Sequence, residues 1–167
     1  LFPYTTLFRS TWIRFMRAVN FMIGIDLSER DCNLCFVWAR MAVSGQPNVM
    51  SDALPFEGFL EALCRVASIK ALPSDDEINE HGCDDAGHWV LYMNSDDDLR
   101  EEYNLMLVER EIGWGGTPPQ PLDRCVAHTL SIILQAIDHI IYKGVIDKPE
   151  SNGLSFAEVA RFVDLCL

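Results

Sequence analysis

Asp123-Arg124-Cys125-Val126-Ala127-His128-Thr129-Leu130-Ser131-Ile132-Ile133-Leu134-Gln135-Ala136-Ile137-Asp138-His139-Ile140-Ile141-Tyr142-Lys143 is the stretch on which the fold turns. Its apolar residues recur at three- and four-residue spacing, which predicts one long helix, capped by Asp123 and stopped by Gly144. The helix is apolar on most of its sides, so it either crosses a membrane or runs through a protein core. A membrane span needs ~18 or more apolar residues with few charges. The longest run here without an ionisable group is Thr129–Ile137, and a span would bury His128, Asp138 and His139 in hydrocarbon at several kcal/mol. The segment is therefore expected to be a central core helix, with no membrane span.

The segments around it show the same helical period. Trp12, Phe15, Met16, Val19 and Met22 mark an amphipathic helix over residues 12–24, with Arg14 and Arg17 on its outer side and Gly24 as its stop. Ser28 caps a second helix, with Asp31 three residues on; Leu34, Cys35, Trp38 and Met41 form its expected buried stripe. Pro55 starts a third, with Phe59, Leu60, Leu63, Val66 and Ala67 inward. Ser74-Asp75-Asp76-Glu77 and Ser95-Asp96-Asp97-Asp98 each combine a capping residue with acids in the first turn, and each predicts a helix start. Residues 86–93 read as a short helix about Trp89 or as irregular chain. A last helix is expected over 155–167. No segment alternates strictly over the length of a strand. The expectation is an all-α domain of about seven helices.

Residues 1–10, Leu1-Phe2-Pro3-Tyr4-Thr5-Thr6-Leu7-Phe8-Arg9-Ser10, read differently. The codons CTC TTT CCC TAC ACG ACG CTC TTC CGA TCT of a common sequencing-library adapter translate to this decapeptide without a mismatch. It also lacks the basic start and small-residue cleavage site of a signal peptide. Residues 1–10 are expected to be a non-native tail, and residues 11–167 a single helical domain and a fragment of a longer protein.

Composition narrows the function. The chain of 167 residues carries 25 acids against 13 Lys and Arg, a formal charge of −12, and is one unit more negative without Arg9. Nucleic acid and anionic membrane surfaces call for the opposite field, whereas a basic partner or a cation suits this one. The six cysteines fall within helical patterns in a chain long enough to bury a core, so a disulfide framework is not expected and a reducing, cytoplasmic setting is. Cys32 and Cys35 form a C-x2-C within a helix, facing the core, with no second pair to complete a zinc site. His81, Cys83 and His88 read as a loop without a ligand. Cys125 and His128 lack the orienting group and oxyanion site of a nucleophilic dyad. Gly113-Trp114-Gly115-Gly116 lacks the Lys-Ser/Thr of a phosphate loop. An enzyme is not expected.

Two helix starts resemble each other: Leu54-Pro55-Phe56-Glu57-Gly58-Phe59 and Leu154-Ser155-Phe156-Ala157-Glu158-Val159. The apolar residues that follow, Phe59, Ala62, Leu63 and Val66 in one and Val159, Phe162, Val163 and Cys166 in the other, share a spacing. The pattern is similar to the exit half of an EF-hand, and the resemblance covers residues 28–70 and about 125–167. It implies a degenerate EF-hand-like pair of helical segments and a weak calcium site at Asp147, Ser151, Ser155 and Glu158, the first, fifth, ninth and twelfth loop positions. The third is Pro149, without a side-chain oxygen, and the sixth is Asn152 with the glycine displaced to Gly153. The other copy would place Pro47, Val49 and Gly58 at ligand positions and holds no ion. The expected function is a non-enzymatic intracellular binding module for a protein or peptide partner, with calcium as its one candidate cofactor. The alternative is a structural or protein-interaction helical domain that binds no ion.

Overall fold

A computed structural model describes residues 7–22, 25–44 and 53–142 of the chain. Among the described residues the architecture is all-α: seven helices and one two-residue strand pair. In chain order these are β1 (Leu7–Phe8), α1 (Arg9–Ala18), α2 (Glu29–Ser44), β2 (Ala53–Leu54), α3 (Phe56–Ile69), α4 (Asp75–Glu80), α5 (Ala86–Met93), α6 (Asp97–Glu109) and α7 (Leu122–Tyr142). β1 and β2 pair antiparallel, Leu7 opposite Leu54 and Phe8 opposite Ala53. The expected helix over 155–167 lies outside the described residues.

By length and composition α7 could span a membrane. In the fold it packs against α3 and α5, burying Cys125, His128, Thr129, Ile132, Ile133, Ile137 and Ile141. Leu130 and Leu134 stay on its exposed side. Close approach of α5 to α7 depends on Gly87. A Cβ there would stand 2.6 Å from the Ser131 carbonyl oxygen and 2.7 Å from Gln135 Cβ. The Gly87 N–H instead donates to Ser131 Oγ at 2.8 Å, and Ser131 Oγ donates to Asp85 at 2.7 Å.

The second half of the core is built by α1, α2 and α3. Trp12, fully buried, donates its indole N–H to the Cys32 carbonyl at 2.9 Å and meets Phe59 edge-on. Removing a side chain of this size from water is worth roughly 1.5–3 kcal/mol. Below it, the Lys70 ammonium lies 2.6 Å from Asp26 Oδ2, with the two side chains 2% and 0% exposed. The same oxygen accepts the Ala71 N–H at 3.0 Å, tying the end of α3 to the α1–α2 connection.

Three local expectations are corrected. α1 stops at Ala18 rather than at Gly24, because Asn20 takes a left-handed turn at φ 57°, a conformation Asn tolerates better than most side chains. α7 starts at Leu122, with the Pro121 carbonyl accepting the Arg124 and Cys125 N–H groups, so Asp123 lies inside the first turn and is not the cap. The buried stripe of α2 is Cys32, Cys35, Phe36 and Ala39. Trp38 and Met41, expected inward, are 53% and 61% exposed. Packing against α1 and α3 buries Cys32, Cys35, Phe36 and Ala39 and turns Trp38 and Met41 outward.

Candidate binding surface

Rotation of α2 leaves Trp38 on the surface, where it meets a second indole. Trp114 comes from the loop after α6, at 44% exposure, with its ring centroid 6.3 Å from that of Trp38. The loop is shaped for this by its glycines. Gly115 sits at φ 82°, which side-chain-bearing residues rarely adopt, and the Gly116 N–H closes a turn onto the Gly113 carbonyl at 2.9 Å. The Trp114 indole N–H then donates to Asp31 Oδ1 at 2.8 Å.

Asp31 is placed by the start of α2. Ser28 and Asp31 make reciprocal capping contacts: the Ser28 N–H donates to Asp31 Oδ2 at 2.9 Å and the Asp31 N–H to Ser28 Oγ at 3.2 Å. Partial burial opposes ionisation of Asp31, but the hydrogen bonds from Ser28 and Trp114 outweigh it and hold the carboxyl below the usual range. One carboxylate thus both caps a helix and anchors a surface tryptophan.

Beside Trp114 opens a cavity of about 380 Å³, lined by Asp31, Glu111, Ser28 and Trp114 among others. Arg30 is the single basic residue among those lining it. On the other flank the Arg65 guanidinium lies 6.0 Å from the Trp38 ring centroid and pairs with Glu61 at 2.6 Å. The surface therefore combines two indoles, the exposed Met41 and an acid-lined recess. Indoles at such places supply large buried area to a partner, and an acidic recess suits a cationic side chain.

The residues singled out in the sequence fall elsewhere. Asp147, Ser151, Ser155 and Glu158 lie outside the described residues. Cys32 and Cys35 are buried, and burial pushes both thiols up to about 12, so neither forms a thiolate near neutral pH. The five described cysteines are free thiols. Cys125 and His128 do not form a dyad: Cys125 Sγ donates to the Gln120 carbonyl at 3.6 Å, whereas His128 Nε2 faces Asp75 Oδ1 at 3.3 Å. Burial lowers the His128 pKa, opposed by Asp75. Cys83 Sγ points to the His81 carbonyl, and His88 Nδ1 lies 3.6 Å from Asp85. No group of three or more His, Cys, Asp or Glu among the described residues could hold a metal ion.

The Trp38–Trp114 surface was not legible in the sequence, since Trp38 sits on a helix pattern that reads equally well as core. One signal existed: a tryptophan within the glycine loop at 113–116 has no local structural reason to be there. Comparison with protein-family models, with curated proteins and with solved structures finds no match to this chain.

Proposed function

We propose that this chain is a non-enzymatic binding module that receives a basic amphipathic segment of a partner protein on the Trp38–Trp114 surface. The carrying observation is the pair of exposed indoles 6.3 Å apart beside a recess lined by Asp31 and Glu111. Apolar side chains of the partner lie on Trp38, Trp114 and Met41, and a Lys or Arg enters the recess. The net charge of −12 steers such a partner toward the chain. Helical peptides present this combination on one face through residues three and four apart.

A synthetic helical peptide with Leu on one stripe and Lys on its flanks tests the reading, with Glu replacing Lys in the control. The Lys peptide is expected to bind saturably, with Trp38→Ala weakening it about tenfold or more, the scale of an interface anchor. Equal binding of the Glu peptide, or no effect of Trp38→Ala, would overturn it.

The EF-hand-like relation of the outer segments, with weak calcium binding at Asp147, Ser151, Ser155 and Glu158, belongs to the same proposal. Its support is the loop spacing in the sequence. Calorimetric titration of calcium into residues 11–167 is expected to give heat that Glu158→Gln abolishes. Absence of heat at millimolar calcium would leave a module that binds its partner without an ion.

A further inference from the structure

A second cavity, remote in character from the acidic recess, lies between α5, α6 and α7 and the turn after α1. It measures about 550 Å³, within the ~300–1,000 Å³ of small-molecule sites. Its walls are mainly apolar, from Val90, Leu91, Ile132, Ala136 and Ile140. The chain has 25 acids, yet none of the residues lining this cavity is Asp or Glu. The polar groups that do line it include Lys70, Arg100, Tyr103 and His139.

Lys70 carries the argument. Its side chain is 2% exposed, and its ammonium makes one hydrogen bond, to Asp26 Oδ2, beside a contact with the Phe21 ring at 5.4 Å. An ammonium has three N–H donors, and a buried one left partly unsatisfied favours an added acceptor oxygen. Tyr103, also buried, adds a phenol on the same cavity, and burial keeps that phenol protonated and able to donate.

We infer that this cavity binds a small apolar monocarboxylate, its head toward Lys70 and Tyr103 and its chain along the walls of α5 and α7. The acceptor head is favoured by the Lys70 donors that Asp26 leaves open and by the Tyr103 phenol, and the aliphatic chain by the walls. The inference does not rest on the Trp38–Trp114 reading: Ile25 is the one residue that lines both cavities, and neither indole lines this one.

Octanoate, octanol and octylammonium, titrated calorimetrically into the full 167-residue chain, separate the contributions of chain and charge. Octanoate is expected to bind one to one, about tenfold or more tighter than octylammonium and tighter than octanol. Tyr103→Phe should weaken octanoate several-fold and leave octanol unchanged. Val90→Trp, which fills the cavity, should abolish binding; Ala136→Leu serves as a second filling variant, each checked for native circular dichroism. Trp38→Ala should leave octanoate binding intact. The inference is overturned if octylammonium or octanol binds as well as octanoate. It is equally overturned if folded filling variants bind normally, or if no saturable binding occurs up to millimolar ligand.

Discussion

Ser74-Asp75-Asp76-Glu77 and Ser95-Asp96-Asp97-Asp98 are near copies in composition, and both begin helices. Their surroundings separate them. At α4, Ser74 and Glu77 form a complete capping box, and Glu77 also receives Arg110 through two contacts, at 2.8 and 2.5 Å, from the end of α6. Arg110 donates to the Leu72 carbonyl as well, and Asp75 pairs with Arg124 of α7. At α6, Asp96 caps by accepting the Asp98 N–H and Asp97 pairs with Arg100 on its own helix. One acidic start holds three helices together; among the described residues the other serves its own first turn. Charge at a helix start is thus cheap to predict, but its worth depends on whether a cation from another element reaches it.

Asp26 takes the contrast to its limit, since its Lys70 partner comes from the end of α3 and both are buried. Lys70→Met should cost about 3–5 kcal/mol, because it strands a carboxylate in the core. Urea unfolding would measure it, and a loss below 1 kcal/mol would mean that the interior is wetter than the packing implies.

Glu77→Ala comes next. It removes the capping box and the Arg110 contact together, for an expected loss of about 2–3 kcal/mol. Its effect has a pH signature. The hydrogen bonds from Arg110 hold the Glu77 carboxyl down to about 2, against burial and with help from Ser74, from an ordinary 4.5. A lowered carboxylate pKa stabilises the fold above the unfolded-state value and loses that contribution as pH falls through the folded-state value. The gap in thermal midpoint between the native chain and Glu77→Gln should therefore be full above pH 4.5 and close toward pH 2. A gap that persists at the acid end would show that the glutamate acts by packing and not by charge.

The α6 start should be far more tolerant. Asp96→Ala removes one cap and is expected to cost about 1 kcal/mol. Asp97→Ala removes an exposed pair within one helix, and no change in unfolding midpoint is expected. Were Asp97→Ala as damaging as Glu77→Ala, the distinction between the two starts would collapse.

Most of the helices could be read from the chain directly. The 3.6-residue period, the capping residues and the glycine and proline stops are local signals, and they place α2, α3, α4, α6 and α7 to within a few residues. The box at Ser74 and Glu77 is local in the same sense. What could not be read was orientation. The expected stripe of α2 was Leu34, Cys35, Trp38 and Met41 and the buried one is Cys32, Cys35, Phe36 and Ala39; both run at helical spacing, so periodicity alone does not choose between them. The start of α5 was ambiguous for a similar reason: Asp85 caps it locally through the His88 N–H, but Gly87 gains its purpose from Ser131, far along the chain.

By itself, then, the sequence determined helical class, helix starts, an acidic surface and the apolar character of the central helix, because each follows from neighbours within a few residues or from composition. The tertiary structure decided which stripe of α2 is buried, which acids meet a cation and where two tryptophans come together. Those depend on pairs such as Asp26 with Lys70, Glu77 with Arg110 and Trp38 with Trp114, which are tens of residues apart. Local propensity carries no information about such distances; close packing of whole helices does.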